Sequence, residues 1–165
     1  MKDKIKHYIK EIITFIIVMT LFANAISYYK SRDLNAKPLS LNTVTLLDNT
    51  HFSVVNNKPI LIHFWATWCP TCKLEAQNIQ YISEHYNVLT IAVNSGSNEE
   101  IKKYLLANDL NYKVVNDSHS VYASEFNIAA YPTTFIYDKD KNMVFSDVGY
   151  TSTLGLFFRM WWASL

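Results

Sequence analysis

Between Ile12 and Tyr29 the chain carries no charged side chain, and Ile, Phe, Val, Met and Leu dominate. Such a run is about long enough to cross a hydrocarbon core of roughly 30 Å. Lys2, Lys4, Lys6 and Lys10 precede it, Tyr28 and Tyr29 fall where an interfacial aromatic belt would sit, and Lys30 and Arg32 follow. The pattern predicts a Lys-rich cytoplasmic tail over 1–11, a transmembrane anchor over 12–29, a short polar tether over 30–39 and an exported domain over 40–165. Ala23-Asn24-Ala25 also has the small-x-small form of a signal-peptidase site, so a signal peptide cleaved after Ala25 competes with the anchor. Both place the domain outside the cytoplasm. A buried helix of a soluble domain fits less well, because the run is apolar all round and begins behind the lysines.

Beyond Pro38 the hydrophobic pattern is that of short strands and amphipathic helices. Thr43 to Leu47 and His51 to Val55, separated by the turn residues Asp48 and Asn49, predict a hairpin. After Pro59, Ile60-Leu61-Ile62-His63-Phe64-Trp65 is a continuous apolar run with one ionisable residue, as in a strand covered on both faces. A helix follows from Pro70, which suits a first helical turn, to near Asn87, with Leu74, Ile79, Tyr81, Ile82 and His85 at broadly helical spacing. Val88 to Val93 predicts the next buried strand. Asn98 to about Asn108 predicts a helix with Ile101, Tyr104, Leu105 and Ala107 on its apolar side and Glu99 and Glu100 suitably near its N-terminus.

Tyr112 to Val115 then reads as a short strand and Val121 to Phe126 as a short helix, and Tyr131-Pro132 interrupts the chain before a strand at Thr133 to Tyr137. A turn at Asp138 to Asn142 leads into a return strand, Met143 to Val148, and a last helix from about Ser152 to Leu165. This order predicts an α/β fold, a central mixed sheet flanked by helices and finished by an antiparallel hairpin. In the last helix Leu154, Phe157, Phe158, Met160, Trp161, Trp162 and Leu165 leave Arg159 as the only charge. Such a helix covers the sheet or rests its excess aromatic surface on a bilayer.

Composition narrows the class. With 165 residues, half of them hydrophobic, the chain suits one globular domain, and three Gly, four Pro and no internal repeat exclude a linker-rich chain or a solenoid. The net charge is +1, and the chain after residue 11 is close to neutral, so it lacks the basic face that nucleic-acid binding needs.

The thiol inventory is Cys69 and Cys72, in Trp68-Cys69-Pro70-Thr71-Cys72, where a buried strand gives way to a helix. At that helix N-terminus unpaired N–H groups and the helix dipole stabilise a thiolate and lower the Cys69 pKa below the usual value of about 8.5. Cys69 is therefore the expected nucleophile. Cys72, one turn on and more deeply set, resolves a mixed disulfide on Cys69. Lys73 stands where haem attachment needs His, no second CxxC exists, and five scattered His residues show no paired spacing for zinc. No metal and no cofactor beyond the redox-active disulfide is expected, although Cu(I) held by the two thiolates without turnover remains the contrasting class.

Two residues extend the chemistry. Glu75, three residues beyond Cys72, is placed to exchange a proton with that thiol, or is a solvated helix carboxylate. His63 is either a proton acceptor for Cys72 or a core imidazole satisfied by backbone, and close to the thiols its titration would couple to theirs. Trp65 suits the core, and Trp68, beside the nucleophile, suits a docking surface.

Phe64-Trp65-Ala66-Thr67-Trp68-Cys69-Pro70-Thr71-Cys72, with Glu75 after it, resembles the membrane-anchored thioredoxin-like proteins of bacteria, the TlpA, ResA and DsbE group. Gly149-Tyr150-Thr151-Ser152, the aromatic-rich helix from Leu156 to Leu165 and the short anchor are similar to the ScsD-type protein-disulfide oxidoreductases, suppressors of copper sensitivity. The resemblance implies a thioredoxin-like fold with an added N-terminal β-hairpin, at the periplasmic face of the inner membrane. It implies disulfide exchange with protein thiols as a reductant, supplied with electrons by a membrane thiol reductase of DsbD or ScsB type. A DsbE-like reductant of apocytochrome c is the alternative, since the Cys motif, Glu75 and Gln77 fit it too.

By the same resemblance Pro132 is the cis-proline that lies against the disulfide, leaving a backbone edge on which an extended substrate pairs beside Cys69. Tyr131 would flank the sulfur, and Trp68, Pro70 and Thr71 would complete the substrate-binding segment. Glu75 matches the acidic residue of the group. Ordinary thioredoxins, by contrast, carry a buried Asp where His63 stands and a Pro where Gln77 stands.

Overall fold

The computed structural model describes residues 2–31, 34, 37–54 and 57–165. Helix α1 (Lys2–Ser31) runs through the Lys-rich tail and the apolar stretch without a break at residue 11. Among the described residues, however, no helix is long and apolar enough to cross a membrane. The tether does not behave as a polar spacer: Leu34 and Leu39 are buried in the domain core, and Arg32, Asp33, Asn35 and Ala36 lie outside the described residues. Two well-placed leucines are enough to dock a short segment that its polar composition would leave in solvent.

Strands β1 (Thr43–Thr45) and β2 (His51–Ser53) form the expected hairpin as a separate antiparallel sheet. Its turn is set by Asp48, whose Oδ1 accepts from the Thr50 N–H and hydroxyl at 3.0 and 2.6 Å. Val55, expected in the second strand, lies outside the described residues.

The main body follows as β3 (Ile60–Trp65), α2 (Pro70–His85), β4 (Val88–Val93), α3 (Asn98–Ala107), β5 (Val114–Asp117), α4 (Val121–Glu125), β6 (Thr133–Tyr137), β7 (Met143–Val148) and α5 (Thr153–Ala163). The sheet order is β5-β4-β3-β6-β7, with β3, β4 and β5 mutually parallel and β6 and β7 antiparallel to their neighbours. This is the predicted mixed sheet, with every β3 residue buried as its continuous apolar run requires. α1 lies along the edge strand β7.

One strand is shifted. β5 begins two residues later than the apolar pattern suggests, because Tyr112 packs edge-on against Trp65 as part of the preceding loop. Its polar end is occupied by Asp117, whose carboxylate accepts from the backbone N–H groups of Val121 and Ala123 at 2.7 and 2.9 Å and so starts α4.

Alternation along β3 divides the interior. Leu61 and Trp65 join the core formed with α2, α3 and α5, whereas Ile60, Ile62 and Phe64 face α4 and the hairpin. His63 shares the first face. α5 covers the sheet there with Leu156, Met160 and Ala163, leaving Leu154, Phe158, Trp161, Trp162 and Leu165 exposed.

Candidate active site

Cys69 is the N-cap of α2, in extended conformation, with Pro70 in the first turn where its missing N–H costs no helical hydrogen bond. Cys69 and Cys72 are joined as a disulfide with their Cα atoms 5.3 Å apart. The Cys72 N–H donates to Cys69 Sγ at 3.2 Å, so the helix N-terminus aims both a hydrogen bond and its dipole at the expected nucleophile. Both cysteines are largely covered, at 6% exposure for Cys69 and 2% for Cys72, which keeps the expected order with a smaller margin than a fully exposed nucleophile would give. Thr71 is half-buried and Pro70 exposed at the mouth.

The Tyr131-Pro132 bond is cis, and the Tyr131 carbonyl oxygen lies 3.7 Å from Cys69 Sγ, where it would accept from the reduced thiol. The Tyr131 ring meets the exposed Trp68 ring edge-on at 5.7 Å, and Trp68 Nε1 donates to the Asn94 carbonyl at 3.1 Å. The two aromatic rings thus form a fixed rim beside the sulfur. Trp65 takes the core position expected of it, packed between Tyr104 and Tyr112.

Glu75 is completely buried, which excludes the solvated carboxylate. Its Oε1 accepts from the Thr151 N–H at 3.1 Å, while Oε2 has no hydrogen-bond partner among the described residues. Burial pushes its pKa up to about 8, against the pull of the Thr151 N–H and with a further push from the Asp147 charge. Glu75 therefore carries a proton at neutral pH.

His63 is buried with Nδ1 2.9 Å from Thr134 Oγ1, so a side-chain hydroxyl rather than the expected backbone group partners it. Burial holds its pKa down at about 3, leaving the imidazole neutral. No local pattern in the chain marks Thr151, Asp147 or Arg159 as neighbours of the Glu75 carboxyl. Thr151 is 76 positions from the carboxyl it binds. Asp147 pairs with Thr134 in the register of β7 and makes a 3.2 Å ion pair with Arg159.

A Cys-x-x-Cys pair at the N-cap of the helix leaving the central strand, against a cis-proline segment, defines a thioredoxin-fold thiol-disulfide oxidoreductase. The family model described as the AhpC/TSA family matches residues 30–146, and the chain belongs to that family. It is 35% identical over 132 residues to a thioredoxin-like protein of Haemophilus influenzae, a match covering 76% of this chain and 78% of that protein. It is 29% identical to sporulation thiol-disulfide oxidoreductase A of Bacillus subtilis, over 54% of this chain and 58% of that protein. The crystal structure of StoA from Bacillus subtilis superposes with a TM-score of 0.66 at 20% identity, covering 76% of this chain and 98% of StoA, which shows the shared fold. The thiol-disulfide oxidoreductase ResA of Bacillus cereus is 28% identical over 58% of this chain and 57% of that protein, and the chain is a protein-disulfide oxidoreductase.

Proposed function

We propose that the protein is a membrane-tethered reductant of protein disulfides on the periplasmic face of the inner membrane, of ScsD type, recharged by a membrane thiol reductase of DsbD or ScsB type. The observation that carries the mechanism is the Cys72 N–H on Cys69 Sγ with the protonatable, buried Glu75 one turn below Cys72. In the reduced protein the Cys69 thiolate attacks one sulfur of a substrate disulfide. A Cys69–substrate bond forms, the substrate S–S bond breaks, and the departing thiolate takes a proton from solvent. In the molecules whose Glu75 has ionised, a fraction that grows as pH rises towards 8, Cys72 passes its proton to that carboxylate and attacks Cys69 Sγ, releasing the second substrate thiolate and leaving the Cys69–Cys72 disulfide, two electrons having passed to substrate. On re-reduction a protonated Glu75 returns its proton to the Cys72 sulfur.

The direction rests on thiolate stabilisation at Cys69. One described N–H donor faces its sulfur, and the Tyr131 carbonyl presents negative partial charge from the other side. That carbonyl offsets part of what the N–H and the α2 dipole give the thiolate, so the reduced form is stabilised less than in a strong oxidant. The equilibrium potential of the pair, titrated against dithiothreitol and glutathione buffers, is expected near about −270 mV, and a value near about −120 mV would identify an oxidant instead.

The tether rests on α1, whose charge-free stretch presents Ile12, Ile13, Phe15, Ile17, Val18, Met19, Leu21 and Phe22 as exposed side chains, a surface that water does not tolerate and lipid does. The full chain is expected in the membrane fraction after alkaline carbonate extraction, and a chain starting at residue 40 in the soluble fraction. Extraction of the full-length, uncleaved chain by carbonate would refute the anchor.

A further inference from the structure

The cross-strand register places Thr90, His63, Thr134 and Asp147 in one row across β4, β3, β6 and β7. All four are buried, on the face that α2 covers with Cys72, Ala76 and Ile79. A polar row in that position needs partners to be tolerated. Thr90 donates to the Lys113 carbonyl at 2.9 Å, His63 is bonded to Thr134, and Asp147 receives Arg159 Nη2 at 3.2 Å.

Arg159 is the only charge of α5, yet it folds inward. Its guanidinium stands 6.0 Å from the centre of the Phe145 ring and lies over Gly155, where a Cβ would come within 3.3 Å of Arg159 Nη1 and 3.2 Å of Thr151 Cγ2. The glycine therefore leaves the notch the guanidinium uses. Thr151, beside that notch, is the residue whose N–H holds Glu75. Ion pair, Thr151 and Glu75 are contiguous.

We propose that the Asp147–Arg159 ion pair is a positioning device for the proton step at Cys72, fixing the pH at which Glu75 gives up its proton. The inference rests on the proton role of Glu75 proposed above. Cys72 lies on the Glu75 carboxyl's own helix, Asp147 on β7 pushes on it, Arg159 on α5 is paired to Asp147, His63 on β3 shares the row of Asp147, and Tyr150 reaches the same helix through Asn78. His63 is uncharged over the working range, so Asp147 and Arg159 supply the fixed field. Asp147 favours the protonated acid, and Arg159, by pairing with Asp147, offsets that push.

The two charges therefore predict opposite shifts, which a purely structural role would not produce. The test is the pH profile of single-turnover oxidation of the reduced full chain by oxidised glutathione, followed by tryptophan fluorescence. Glu75→Gln should remove the limb due to Glu75. Asp147→Asn should move that limb down by about one pH unit, since it removes the acid's repulsion and leaves Arg159 uncompensated. Arg159→Gln should move it up, and Gly155→Ala, whose Cβ pushes the guanidinium by a few tenths of an ångström, should move it the same way by less. Shifts in the same direction, or none, overturn the proposal while leaving the Glu75 mechanism intact. A limb that survives in Glu75→Gln overturns both. If Asp147→Asn does not fold, the upward shifts in the other two variants decide the matter alone.

Discussion

Cys69→Ser is expected to lower disulfide exchange by at least about a thousandfold, as the loss of a nucleophile does in other enzymes, whereas Cys72→Ser should accumulate covalent adducts with its partners. The two outcomes differ because the sulfurs differ in place. Cys69 is the N-cap, receives the Cys72 N–H and faces the substrate edge at Tyr131, while Cys72 lies within α2. Serine is itself a favoured N-cap, so Cys69→Ser keeps a side-chain acceptor for that N–H, and loss of activity cannot be assigned to a frayed helix. Without Cys72 a mixed disulfide on Cys69 has no internal thiol to resolve it. Non-reducing electrophoresis of the two variants reads the order directly. Adducts on Cys69→Ser and none on Cys72→Ser would reverse the assignment of nucleophile and resolving thiol.

How much of this could be read from the chain depends on the range of the interaction. β3 was legible because six consecutive residues suit a strand buried on both faces, and α2 because Pro70 and the spacing from Leu74 to Ile82 are local signals. β5 was displaced because Tyr112 looks like a strand residue but spends its ring on Trp65, while the polar Asn116 and Asp117 extend the strand in order to start α4. Leu34 and Leu39 were hidden in a segment whose average composition is polar. At the site, Cys69, Cys72 and Glu75 lie within one short stretch of helix and could be assigned roles from spacing. The groups that bury and hold Glu75 could not, since Thr151, Asp147 and Arg159 are brought to it by the return of β7 and the packing of α5. The burial of Glu75 is a tertiary property, and a helical carboxylate three residues from a cysteine reads the same whether solvent or α5 lies above it.

That burial gives Glu75→Gln two measurable consequences. Re-reduction of the disulfide is expected to slow by about a hundredfold, the usual contribution of a positioned proton donor at the low end of its range. Stability is expected to change its pH dependence. The Glu75 pKa rises from 4.5 to about 8 on folding, so between those values the native state holds a proton that the unfolded chain has released, and stability falls as pH rises. The slope approaches about 1.4 kcal/mol per pH unit where the two states differ by a whole proton. His63 acts from the other side. Its pKa falls from 6.5 to about 3 on folding, so the unfolded chain takes up a proton that the native state refuses, and stability falls as pH drops below 6.5. Together the two groups place the maximum between pH 4.5 and 6.5. In Glu75→Gln the alkaline limb should vanish while the acidic limb remains, so the maximum broadens upward past pH 6.5. Urea unfolding of both proteins at a series of pH values from 5 to 8 separates these cases. A wild-type chain whose stability is level from pH 6 to 8 would mean that Glu75 is ionised in the folded protein, and that the buried proton on which the Cys72 step depends is not there.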